Sequence, residues 1–113
     1  MLRVSVIINP NAGPARRRAP AEAVALAERV VRARGAEPRV FVAERPGSGR
    51  ALASREIREG ADVVCAWGGD GTINDIASVV SELGGVLAIV PAGSGNGLAR
   101  DHAVPLDPRA ALG

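Results

Sequence analysis

This 113-residue chain contains no lysine and no tyrosine, and it has one residue each of cysteine, histidine, phenylalanine and tryptophan. The missing lysine excludes a P-loop, whose lysine reaches the nucleotide phosphates. Phosphate chemistry, if present, must then rest on backbone amides, arginine and metal. All fourteen basic residues are arginine, which a genome biased toward arginine codons accounts for. One cysteine cannot close an internal disulfide; Cys65 lies in an apolar run and reads as a small buried hydrophobe, as suits a reducing cytoplasm. No apolar run approaches the ~18 residues of a membrane-spanning helix, and residues 4–8 are too short for a signal-peptide core. A formal charge of +2 gives no support to nucleic-acid binding. With 47% hydrophobic and 23% charged residues the composition is that of one ordinary globular domain.

What is present alternates between two periodicities. Residues 2–8, 39–43, 62–67 and 86–90 are short, β-branched or continuously apolar, as in strands covered on both faces. Between them, 15–34 and 50–59 read as helices closed by Gly35 and Gly60. A third helix follows residue 72, with Ile73, Ile76, Ala77, Val80 and Leu83 at helical spacing, and Gly84-Gly85 ends it. In the first helix the predicted buried stripe is Ala19, Ala23, Leu26, Val30 and Ala33. Strands alternating with helices predict an α/β fold, a three-layer open parallel sheet with helices on both faces. Right-handed crossovers then place every strand-to-helix loop at one edge, where such sheets bind ligands. Residues 98–103 start a further helix. Asp107-Pro108 reads as an N-cap followed by a first-turn proline, so the chain looks cut off as a new element begins.

Three loops fall on that edge: residues 9–13, 68–74 and 93–97. They hold all four asparagines of the chain, Asn9, Asn11, Asn74 and Asn96. The central loop, Gly68-Gly69-Asp70-Gly71-Thr72-Ile73-Asn74, is the most informative. Its glycines permit close approach of a ligand, and the N-terminus of the next helix offers free N–H groups and a positive dipole end. Phosphate is the anion this pattern suits, and the lone carboxylate of Asp70 suggests a divalent cation sharing the site. Thr72 reads as the N-cap, and Asp75 as a partner of the helix dipole. Neither glycine cluster is a dinucleotide fingerprint, because Asn74 and Leu98 stand where the third glycine is required.

Three stretches together resemble the diacylglycerol kinase catalytic domain, a family of bacterial lipid kinases, sphingosine kinases and ceramide kinases. They are Asn9-Pro10-Asn11-Ala12-Gly13, then Gly68 to Asn74, then residues 91–100 (Pro-Ala-Gly-Ser-Gly-Asn-Gly-Leu-Ala-Arg). The glycine-aspartate-glycine core alone is shared with NAD kinases and phosphofructokinases; the first and third stretches make the assignment specific. The resemblance implies an NAD kinase/diacylglycerol kinase N-terminal-domain fold and ATP-dependent phosphorylation of a lipid hydroxyl, on diacylglycerol or a sphingoid-type lipid. ATP and Mg²⁺ are the implied cofactors. ATP would touch Asn9, Pro10, Asn11, Ala12, Gly13, the whole stretch Gly68, Gly69, Asp70, Gly71, Thr72, Ile73 and Asn74, and Ser94 and Asn96. Asp70 would be both catalytic and the metal ligand. A β-rich C-terminal domain that completes the lipid pocket is absent here, so residues 1–113 would be the nucleotide-binding half and inactive alone.

By the same resemblance the protein would be cytoplasmic and peripheral to the inner face of the membrane, meeting its lipid substrate there, and a homodimer is allowed. Arg16-Arg17-Arg18 is either a solvated helix face or a contact to phosphates and an anionic membrane surface. Many relatives carry threonine at the end of the second strand as an ATP contact. Ala43 stands there, so contact must run through its backbone or is lost. The alternatives are a soluble-substrate kinase resembling NAD kinase and a non-catalytic nucleotide-binding module. Trp67 reads as a core or pocket-wall residue, and His102 has no assigned role.

Overall fold

In the computed structural model, residues 1–9 and 20–91 are described. They form β1 (Arg3–Ile8), α1 (Pro20–Ala33), β2 (Glu37–Val42), α2 (Ser48–Arg58), β3 (Val63–Gly68), α3 (Asp70–Leu83) and β4 (Leu87–Pro91). All neighbouring strands are parallel, in the order β2-β1-β3-β4. This is the layered α/β sheet that the alternating periodicities predict. The expected further helix from residue 98 lies outside the described residues, as does the first helix before Pro20.

Strand alternation sorts the core into two layers. Val4, Val6 and Ile8 of β1 and Val63, Cys65 and Trp67 of β3 face α1, meeting Ala23, Ala27 and Val31. Ile7, Val64 and Ala66 face the other way, against Ala53 of α2 and Ile76, Val79 and Val80 of α3. Of the predicted stripe Ala23 is buried and Ala19 lies outside the described residues, and the other buried positions of α1 are Ala27 and Val31. Leu26 and Val30 only flank this row, and Ala33 is exposed. Small residues at i and i+4 let the helix lie close on the β-branched sheet face. In α3, Leu83 likewise proves exposed, because the helix is ending there: Gly84 takes φ 72° as its C-cap, a conformation costly for any residue with a Cβ.

Two polar side chains are buried in the second layer, Ser5 of β1 and Glu56 of α2. The Glu56 carboxylate of α2 is only 1% exposed. It accepts a 2.7 Å hydrogen bond from the Ser5 hydroxyl of β1 and is flanked by Arg39 Nε at 3.2 Å and Arg55 Nε at 3.4 Å. Both guanidinium groups also lie over the Phe41 ring. The cluster ties α2 to β1 and β2, which fixes where the loop before α2 meets the sheet edge.

Cys65 is completely buried, and burial pushes its thiol from 9.0 up to about 12. Native protein should therefore resist alkylation at pH 8 and label only on unfolding. Because the folded value is raised, the unfolded chain loses its proton first. Stability should be full below pH 9 and fall as pH rises from 9 towards 12. Denaturant midpoints measured from pH 7 to 10.5, with Cys65→Ala as the control for other alkaline titrations, check the sign.

Candidate functional site

The strand registers align one row of residues at the C-terminal edge: Val42 pairs with Ile8, Ile8 with Trp67 and Trp67 with Val90. The next residues of β2 and β1, Ala43 and Asn9, lie just past their strands. Gly68 and Pro91 pair once more as the last residues of β3 and β4, so the strands end at one edge. Two backbone bonds carry the ladder one step further, from Ala43 N to Ile8 O (2.8 Å) and from Asn9 N to Trp67 O (2.9 Å). After β1 the chain crosses to α1 on one face, and after β3 it crosses to α3 on the other. The crevice between β1 and β3 is thus the switch point of the sheet, where ligands of open α/β folds sit. Asn9 stands on one side of it, and Gly68 to Asp70 on the other.

The glycine stretch is arranged differently from a loop with a threonine cap. The N-cap of α3 is Gly69, with extended backbone (φ −79°, ψ −178°), and no side chain caps the helix. Thr72 is therefore not the N-cap; it sits inside the first turn. The first intrahelical bond of this end runs from Ile73 N to Gly69 O at 3.0 Å. The amides of Asp70, Gly71 and Thr72 precede it and point out of the helix end. Asp70, the first helical residue, is exposed.

The glycines of the stretch owe their identity to different pressures. None described there has a positive φ. A Cβ on Gly68 would lie 2.9 Å from Thr72 Cβ, 3.0 Å from Thr72 Cγ2 and 3.2 Å from Asn9 Cβ, so Gly68 is demanded by packing. A Cβ on Gly71 would meet nothing within 4 Å. That open space lies at the exposed amides, where an approaching ligand would need it.

Asn9 and Thr72 are joined directly, Asn9 Nδ2 donating to Thr72 Oγ1 at 2.8 Å. Ile73 turns its side chain toward the core beside Ile76. Only its backbone belongs to the helix end. Asn74 is exposed one residue further on, and its carbonyl accepts the Ser78 hydroxyl at 3.0 Å. Pro10, Asn11, Ala12, Gly13, Ser94 and Asn96 lie outside the described residues.

A cavity of 190 Å³ opens beside this helix end. Asn9, Thr72 and Asp75 form one wall and the loop 43–49 forms the other. That loop is what the sequence reading missed. Its signal was available, since Pro46-Gly47-Ser48-Gly49 follows β2 on the same edge as the other loops. Gly47 has φ 83° at the start of α2, and the Ser48 hydroxyl donates to Arg45 O at 2.7 Å, which holds the turn. Ala43 does line the cavity, but its amide is committed to Ile8 O. Of its backbone, only the carbonyl remains for a ligand. Asp75, read as a dipole partner, also faces this space.

For a magnesium nucleotide the residues present fit in kind. Among the described residues no group of three or more histidine, cysteine, aspartate or glutamate side chains could hold a metal. Mg²⁺ bound to a nucleotide needs no such cage, since it takes one or two carboxylates with phosphate oxygens and water. Asp70 could supply the carboxylate, and the neighbouring amides and the space over Gly71 could receive the phosphates.

The profile of the diacylglycerol kinase catalytic domain matches residues 3–113. The chain belongs to this family. It is 36% identical over 93 residues to a Pseudomonas aeruginosa protein named "Probable lipid kinase YegS-like", covering 80% of the chain and 31% of that protein. It is 30% identical over 113 residues to a Staphylococcus aureus "Diacylglycerol kinase", covering 97% of the chain and 35% of the relative. The chain thus spans about a third of the length of the relatives it matches. Among solved structures, a diacylglycerol kinase from Bacillus anthracis superposes with a TM-score of 0.66 at 22% identity, over 96% of this chain and 39% of that one. A phosphate-loop protein superposes with a TM-score of 0.70 at 15% identity, over 99% of this chain and 94% of that one. At these identities the two superpositions show the fold alone. In the family chain described here, no helix among the described residues is long and apolar enough to cross a membrane.

Proposed function

We propose that this chain is the nucleotide-binding part of an ATP-dependent kinase that phosphorylates a lipid hydroxyl. The observation that carries the reading is the α3 N-terminus at the switch point, where Asp70 stands beside three outward amides and the space over Gly71. Family membership supports a lipid as the acceptor. Bound there, Mg²⁺ would neutralise charge on the transferring phosphoryl group, which dominates catalysis of this reaction class. Asp70 would hold it. The amides of Asp70, Gly71 and Thr72 would orient phosphate oxygens, and the loop 43–49 would enclose the rest of the nucleotide. Membrane contact is peripheral in this reading, with Arg16, Arg17 and Arg18 as candidate contacts to anionic lipid.

The test has two arms. Calorimetric titration of the 113-residue chain with ATP should show binding that strengthens with magnesium. Labelled-phosphate transfer to diacylglycerol and sphingosine should appear with a protein of the relatives' full length and be negligible with the chain alone. Robust transfer by the chain alone would place the lipid machinery within these residues. Conversion of NAD to NADP with no lipid product would replace the acceptor by a soluble one.

A further inference from the structure

The contact between Asn9, Gly68 and Thr72 does more than join β1 to α3. Thr72 Cβ and Cγ2 pack where a Gly68 Cβ would be, while Oγ1 receives the Asn9 amide at 2.8 Å. Methyl and hydroxyl are thus both held, and the threonine rotamer is fixed. A hydroxyl has one hydrogen to donate and two lone pairs to accept with. The Asn9 Nδ2 group is a donor and cannot take the threonine hydrogen. That hydrogen must point elsewhere, and it finds no acceptor among the described residues. Thr72 lines the 190 Å³ cavity, beside the outward amides of the same helix turn. The hydroxyl and these amides are donors, which suits a ligand whose oxygens only accept, while the carboxylates of Asp75 and Glu44 also line the cavity.

We propose that Asn9 is a positioning residue that sets the polarity of the Thr72 hydroxyl, holding it as a hydrogen-bond donor to a phosphate oxygen in this cavity. The inference rests on the nucleotide-binding reading above and adds a division of labour to it. Through this side-chain bond Asn9 acts on the ligand by way of Thr72. Gly68 completes the device, because any Cβ there would displace the methyl that fixes the rotamer.

Two replacements of Asn9 separate polarity from simple attachment. Asn9→Leu removes the bond. Asn9→Asp keeps a bond of the same length but reverses it, since a carboxylate accepts and the Thr72 hydrogen must turn toward it. Calorimetry with Mg·ATP on the 113-residue chain reads both, together with Thr72→Val, Thr72→Ser and the double variant Asn9→Asp/Thr72→Val. Loss of one hydrogen bond to a charged oxygen weakens affinity on the order of tenfold. Thr72→Val and Asn9→Asp should each show at least that loss, and Thr72→Ser should recover most of it. In the Asn9→Asp background Thr72→Val should cost nothing more, because the donor is already withdrawn. Asn9→Leu should lie between wild type and Asn9→Asp.

If Asn9→Asp binds like wild type, or if its loss and that of Thr72→Val multiply, the inference is overturned. The same holds if Asn9→Leu is weaker than Asn9→Asp, which is the order expected of a merely structural bond. Should Asn9→Leu fail to fold, as judged by thermal melting, the Asn9→Asp cycle decides alone. Absence of ATP binding by the wild-type chain removes the nucleotide reading itself, and the inference with it.

Discussion

Replacing Asp70 by asparagine should erase the magnesium dependence of ATP binding and leave the fold almost untouched. Asp70 is exposed at the first position of α3. Its structural contribution is confined to the favourable end of the helix dipole, worth about 0.3–1 kcal/mol. Its functional contribution is far larger if it is the carboxylate that holds the cation. The titration with magnesium should then coincide with the titration without it. In a protein of the relatives' length, phosphate transfer should fall about 10²–10³-fold, the cost of removing one preorganised group that meets transition-state charge. A melting temperature within a few degrees of wild type accompanies either result. Retained magnesium dependence would place the metal ligand elsewhere.

The paired substitutions Gly68→Ala and Gly71→Ala should both weaken nucleotide binding but differ in their effect on stability. At Gly68 the new methyl would lie 2.9 Å from Thr72 Cβ, and both flanking contacts belong to packed elements. Overpacking of this kind costs about 1–3 kcal/mol, or roughly 4–12 °C for a domain of this size. Nucleotide affinity should fall as well, since Thr72 is displaced. At Gly71 the methyl enters open space on a helical residue. Alanine is the better helix former by up to about 1 kcal/mol, so the melting temperature should hold or rise. Affinity for Mg·ATP should nevertheless drop at least about tenfold, since the methyl stands where phosphate would approach the amides. Thermal melts and calorimetry on both variants separate the two roles. A destabilised Gly71→Ala, or one that binds ATP normally, would remove the close-approach argument.

These two glycines show where sequence reading succeeds and where it stops. That the stretch follows a buried strand and opens a helix was legible from the apolar run before it and the helical spacing of Ile73, Ile76 and Val80. The division of labour among its glycines was not. Whether a glycine is required by conformation, by a neighbour's side chain or by a ligand depends on contacts far away in sequence, here Asn9 against Gly68 across β1 and β3. The cap was misread for a related reason. Threonine is a good N-cap by local chemistry, but the helix begins at Asp70, and the hydroxyl is taken by Asn9, 63 residues away.

The second wall of the cavity escaped because 43–49 carries no chemical motif. Only the parallel register, which brings the end of β2 level with the ends of β1 and β3, makes it part of the site. The buried Glu56 was invisible for the opposite reason. On a helix with Arg55, Arg58 and Glu59 nearby it reads as one more solvated charge, and only its meeting with Ser5 at 2.7 Å reveals it as core.

The central claim is that the end of α3 at the β1–β3 switch point receives the phosphates of a magnesium nucleotide. Backbone amide shifts of the ¹⁵N-labelled chain, followed through a titration with Mg·ATP, test it most directly. The account predicts that the largest perturbations fall on Asp70, Gly71 and Thr72, extend to the side-chain amide of Asn9 and to the loop 43–49, and shrink in Asp70→Asn. Perturbations centred instead at the opposite pole of the sheet, around Ala36 and Glu37, or none at saturating nucleotide, would contradict it.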